Sequence, residues 1–142
     1  MAASSWFEHQ LRVRYQETDQ MGVVYHANYL NWFEIGRTEL IRSLGMPYQK
    51  IEELGLLLPV IEAEMKFKLP AKYDDFITIR TRIEDFTHLR LQFTSEIWRE
   101  EELLVSGGTR HVWLNREWKP ARIDRAAPEL FALLQKETTN KE

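Results

Sequence analysis

Residues 9–16 alternate Leu11, Val13 and Tyr15 with Arg12, Arg14 and Gln16. A period of two with bulky residues on one side predicts a half-buried β-strand. The pattern then changes. Apolar or small residues at 29, 30, 32, 33, 35, 36, 40, 41 and 44 cover most of a helical circumference. Only Asn31, Glu34, Thr38, Arg42 and their neighbours form a narrower polar stripe. This predicts a helix apolar nearly all round, and therefore buried. Asn28 is its expected N-cap and Gly45 its stop, with Pro47 barring continuation. Period two then returns over 60–69, 76–84, 88–99 and, less cleanly, 103–114, where Gly107-Gly108 predicts a bulge or a close backbone approach. The connections at 70–75, 85–87 and 99–102 are short, which predicts that successive strands pair antiparallel as a meander. A short closing helix is expected at 126–136. The order β-α-β-β-β-β gives an α+β fold of about five antiparallel strands and one long helix. One helix leaves part of such a sheet and its edge uncovered, so self-association is expected.

A chain of 142 residues, 44% of them hydrophobic, suits a single domain over 1–142 with its core at about 9–123. No run approaches the roughly 18 apolar residues of a membrane span, and the first ten residues have neither a basic nor an apolar leader region. A cytoplasmic location is the expectation. The absence of cysteine excludes disulfides, a thiolate nucleophile and cysteine-bound zinc. With 19 basic and 22 acidic residues and a net charge of −3, a nucleic-acid partner is not expected, whereas a phosphorylated small molecule remains compatible.

The densest chemistry lies at the joint between the first strand and the helix. Residues 15–29 hold Glu17, Asp19, Gly22, His26, Asn28 and three tyrosines. Taken singly these residues are ordinary turn, cap and core choices. Together they stand before the N-terminus of a buried helix, whose free amides and positive dipole end suit an anion or an oxygen that becomes anionic during reaction. A carboxylate there can attack a carbonyl or take a proton from water. A metal site is disfavoured, because His9, His88 and His111 have no ligand spacing to Glu17, Asp19 and His26. Serine-triad chemistry lacks its G-x-S-x-G elbow, and no glycine-rich nucleotide loop occurs.

The segment from Arg12 to Ile41 resembles the signature of the 4-hydroxybenzoyl-CoA thioesterase family, and more closely its YbgC-like acyl-CoA thioesterase branch. Asp19, Gly22, Val23, Val24, Tyr25, His26, Asn28, Tyr29, Glu34 and Arg37 stand in its register, and 119–123 is similar to its closing segment. The resemblance implies a hotdog fold, with the sheet wrapped around the long helix and active sites at the interface of a homodimer or homotetramer. It implies hydrolysis of an acyl-CoA thioester, with Asp19 as catalytic carboxylate, the backbone N–H at His26 polarising the carbonyl, and the His26 side chain as a second catalytic group. Glu17 does not match the catalytic position and is expected to be solvated; Glu34 is expected on the polar stripe. Gly22, Val24, Tyr25, Asn28 and Trp32 are the expected substrate-binding residues, with Trp32 lining the acyl pocket. Arg82, Arg90 and Arg122 are candidates for the coenzyme A phosphates. No further cofactor and no metal are expected, coenzyme A being part of the substrate. The acyl group stays open, as does the choice between coenzyme A and acyl-carrier protein as its carrier. Competing readings are a non-catalytic acyl-CoA-binding module, which the Asp19/His26 pair disfavours, and a dehydratase or hydratase of the same fold, whose D-x-N-P-x-H or His-plus-proline-rich patterns are missing.

Overall fold

The computed structural model describes residues 4–139, the side chain of Thr139 excepted. In chain order it contains β1 (Phe7–Arg12), a 3₁₀ turn (Tyr15–Glu17), α1 (Ala27–Ser43), α2 (Tyr48–Glu53), β2 (Leu56–Leu57), β3 (Val60–Phe67), β4 (Phe76–Phe86), β5 (Arg90–Arg99), β6 (Glu102–Val112), β7 (Leu114–Asn115), α3 (Ile123–Ala126) and α4 (Pro128–Thr139). Five strands form one antiparallel sheet in the order β1-β4-β5-β6-β3, and β2 pairs with β7 in a small second ribbon.

The expected meander holds from β4 to β6 and fails for β3, which pairs with β6 at the far edge instead of with its sequence neighbour β4. The connection 68–75 makes the crossing and closes over the start of α1. There Ala71 is fully buried, its carbonyl accepts the Val24 N–H at 2.8 Å, and its own N–H donates to Tyr29 Oη at 3.0 Å. A short connection therefore need not join adjacent strands when it has a helix end to cover.

Alternation in the central strands faces one set of side chains onto α1. Ile77, Ile79, Thr81 and Ile83 of β4 and Leu91, Phe93, Ser95 and Ile97 of β5 are all buried. The helix meets them with Tyr29, Trp32, Phe33, Gly36, Arg37, Leu40 and Ile41, a stripe advancing by alternate steps of three and one. Burial is narrower than the apolar circumference suggests: Leu30 is exposed and Ile35 only half-buried. Gly36 sets the closest approach. A Cβ there would overlap the Thr81 hydroxyl and lie 2.9 Å from Ile79 Cγ2. Gly107 and Gly108 serve the sheet similarly, since a Cβ on either would run into the backbone carbonyl of Glu64 or Phe93. The core has two parts, one around the start of α1 and one joining its C-terminal half to α2 and α4.

Other boundaries also move. β1 ends at Arg12, not at 16, and Tyr15 lies exposed, edge-on to Tyr73 at 5.7 Å. β3 carries the expected alternation yet is exposed on both sides, because nothing among the described residues covers an edge strand beyond the reach of α1. The closing helix is split: Pro128 begins α4, as its missing N–H and fixed φ favour, leaving α3 as a separate turn.

Candidate functional site

The polar loop between β1 and α1 is folded by its own carboxylates. Glu17 is buried, with its side chain accepting the Arg14 N–H at 2.8 Å and the Trp32 Nε1–H at 2.9 Å. Its backbone carbonyl accepts from the Tyr25 N–H and from Asn28 Nδ2, both at 2.9 Å. The expectation of a solvated Glu17 is thus corrected: it ties the loop to the first turns of α1. Asn28 is likewise not the N-cap. Helix α1 starts at Ala27 with His26 at the cap position, and the Asn28 side chain reaches back to position 17.

Asp19 is placed differently. Its N–H donates to the Val23 carbonyl at 2.8 Å, its carbonyl accepts from Gly22 N–H at 3.0 Å, and Oδ1 accepts from Met21 N–H at 2.8 Å. Gly22 has φ +82°, a left-handed conformation that glycine adopts without strain, which lets the turn close. Oδ2 of Asp19 has no partner among the described residues. The turn delivers Asp19 to a cleft of about 230 Å³ that His26, Val24, Tyr29 and Phe67 also line. Among the described residues no acceptor takes the N–H of His26 or of Ala27, so the start of α1 offers free donors beside the cleft. The His26 ring is exposed, packs on Tyr25 at 4.6 Å and faces Phe67 edge-on at 6.4 Å.

The walls come from the crossing connection. Phe67, Lys68, Leu69 and Pro70 line one side. Arg99 anchors this segment, bonding Asp75 Oδ2 at 2.7 Å and the Pro70 carbonyl at 3.2 Å. Burial raises the Tyr29 phenol above its ordinary value, and the hydroxyl stays neutral as acceptor of the Ala71 N–H. Sequence reasoning missed Lys68 and its neighbours because they come from the far end of β3. Only the unexpected crossing brings them here.

Of the expected binding residues, Val24 lines the cleft with Asp19 and His26. Gly22 shapes the turn from its exposed position, and Tyr25 is exposed beside His26. Trp32 does not line this cleft: it is fully buried with its indole N–H held by Glu17. The three arginines lie apart. Arg82 pairs with Glu84 at 3.1 Å and stacks over Trp6. Arg90 is exposed at the start of β5, and Arg122 pairs with Asp124 at 2.6 Å. β4 runs from the Asp19 end of the sheet to the turn before Arg90, roughly 30 Å away at the rise of a strand. Within one chain Arg90 therefore cannot share a ligand with the Asp19 cleft. Among the described residues no three histidine, aspartate or glutamate side chains are grouped to hold a metal ion.

The family profile described as the thioesterase-like superfamily matches residues 13–132. The chain is 37% identical over 129 residues to the putative acyl-CoA thioesterase YneP of Bacillus subtilis, covering 89% of this chain and 94% of that protein. It is 35% identical to the acyl-CoA thioesterase YbgC of Haemophilus influenzae, covering 75% and 78% respectively. The crystal structure of a DHNA-CoA thioesterase from Staphylococcus aureus superposes with a TM-score of 0.88 at 31% identity, covering 96% of this chain and 95% of that one. The five-stranded sheet around α1 is the hotdog fold of these structures.

Proposed function

The chain belongs to the thioesterase-like superfamily, and from that premise we propose that it hydrolyses acyl-coenzyme A thioesters at the cleft between Asp19 and the start of α1. One observation carries the reading: an aspartate with an unengaged oxygen and the free amides of a helix N-terminus line or border the same small, partly apolar cavity. The thioester carbonyl would lie with its oxygen toward the His26 N–H, where the helix dipole favours developing negative charge. Asp19 either deprotonates a water that attacks the carbonyl carbon, or attacks it itself to give a mixed anhydride that water then hydrolyses, regenerating the carboxylate. The C–S bond breaks and the thiolate leaves as coenzyme A, so the products are a carboxylic acid and a thiol. A thiolate is a good leaving group, and the set needs no metal and no cofactor beyond the coenzyme carried by the substrate. His26 borders the same space and can move a proton between water and the leaving sulfur.

A homodimer or homotetramer is part of the proposal. β3 presents an exposed edge with Ile61 and Phe67 uncovered, and Phe67 is also a wall of the cleft, so a second copy on that edge would complete the site. Arg82, Arg90 and Arg122 stand as candidates for the coenzyme phosphates, Arg90 only across a subunit boundary.

The test is thiol release from a panel of aliphatic and aromatic acyl-CoA substrates. Asp19→Asn is expected to slow turnover by about 10²–10⁴ while leaving the unfolding midpoint unchanged, since asparagine Oδ1 can still accept from Met21. His26→Ala separates the side chain from the backbone amide: a fall in kcat gives the imidazole a share in the chemistry. Near-native turnover by Asp19→Asn would remove the proposal.

A further inference from the structure

Arg37 faces a different problem. It lies about three turns along α1 from His26, roughly 16 Å by helical rise. It is only 7% exposed, and among the described residues its Nε and Nη1 have no hydrogen-bond partner and no carboxylate stands within ion-pair distance. A guanidinium cannot escape burial by losing its proton. The Tyr48 side chain hydrogen-bonds the guanidinium but brings no charge to offset it. The Tyr48 phenol is raised, first by burial, and stays neutral; the buried His111 is lowered to about 4, first by burial and then by the Arg37 charge. Glu34 and Glu52 border the same space from exposed positions without pairing with it. An uncompensated buried cation is a large burden for a domain of ordinary net stability.

The guanidinium borders a cleft of about 190 Å³ between α1, α2 and β2, whose remaining lining is Tyr48 with Ile51, Leu56, Leu57 and Leu58. We propose that this cleft is a binding site for a small organic carboxylate. The planar fork of Arg37 matches two carboxylate oxygens, the Tyr48 hydroxyl offers a further donor, and the leucines take the apolar body. The volume lies below the roughly 300–1,000 Å³ of drug-sized pockets, which limits the body to about the size of benzoate or hexanoate. A phosphate dianion fits worse, having no apolar portion for the leucines and meeting Glu34 and Glu52 at the rim. Binding is read without turnover, so this inference stands separately from the activity proposed for the Asp19 cleft.

The test is calorimetric titration and thermal unfolding of the full chain with sodium hexanoate, 1-hexanol and sodium phosphate. Hexanoate binds saturably and raises the unfolding midpoint; hexanol and phosphate do not. Arg37→Met weakens hexanoate binding by about tenfold or more, as loss of a charged hydrogen bond implies. In ligand-free buffer its midpoint lies at or above that of the parent, because the uncompensated charge is gone. Leu57→Glu supplies an internal carboxylate, so it abolishes hexanoate binding while thiol release persists, and it carries the test should Arg37→Met not fold. No hexanoate binding, an equal response to phosphate, or binding that survives both substitutions would overturn the proposal, the last placing the acid in the Asp19 cleft. A fall in sedimentation mass for Arg37→Met would overturn it too, by assigning the guanidinium to a contact between subunits.

Discussion

Glu17 and Asp19 carry the same functional group two residues apart, and the backbone turns them to opposite tasks. Glu17 points inward, where Arg14 N–H and the Trp32 indole saturate it; Asp19 points into the cleft on a turn that Gly22 permits. Glu17→Ala would leave two donors without acceptors, and the unfolding free energy should fall by about 2–3 kcal/mol, measured by denaturant titration. Turnover should suffer less than in Asp19→Asn, which should spare stability. The two variants thus separate scaffold from the chemistry proposed for Asp19. That Asp19 and His26 stand before a helix could be read from the pattern of residues 15–29, although the cap falls at His26 and not at Asn28. The role of Glu17 could not, because its partner is an indole fifteen residues away whose direction depends on the finished helix. The burial of Arg37 escaped for a similar reason: one cation on a helix reads as surface until the packing stripe is known.

At the scale of elements, the contact between α1 and the sheet is set by a missing side chain. Gly36→Ala would press a Cβ on the Thr81 hydroxyl and Ile79, costing about 1–3 kcal/mol in overpacking, partly offset by the better helix propensity of alanine. Chemical denaturation should therefore give a net loss, and adding Thr81→Ala should recover part of it, because that removes the nearer obstacle. The long helix and the four later strands were legible from periods of 3.6 and 2, which reflect burial on one face. Helix α2 and the β2–β7 ribbon were not, being too short to show a period. Nor was the placement of β3, since alternation says which way side chains point and nothing about the neighbouring strand.

Over the whole molecule, His111 couples the fold to acid. It is buried where β6 meets β3, with Nε2 2.8 Å from Thr109 Oγ1 and its ring edge-on to Phe93. Burial, reinforced by the Arg37 charge, lowers it from 6.5 to about 4. Between those values the unfolded chain binds the proton more readily than the folded one. Stability is therefore full above about pH 6.5 and declines as pH falls toward 4, by an amount on the order of 2–3 kcal/mol. His111→Gln should flatten this part of the stability–pH curve, measured by urea unfolding at successive pH values, whatever other carboxylates add below it.

Ala71 spends both of its backbone groups on residues 24 and 29. The loop bearing Asp19 and the segment arriving from β3 are consequently stitched at a single residue and should open as one flap. Tyr29→Phe cuts one stitch. Solvent deuterium should then reach the amides of Val24 and Ala71 at matched, faster rates, while those of β5 keep their protection.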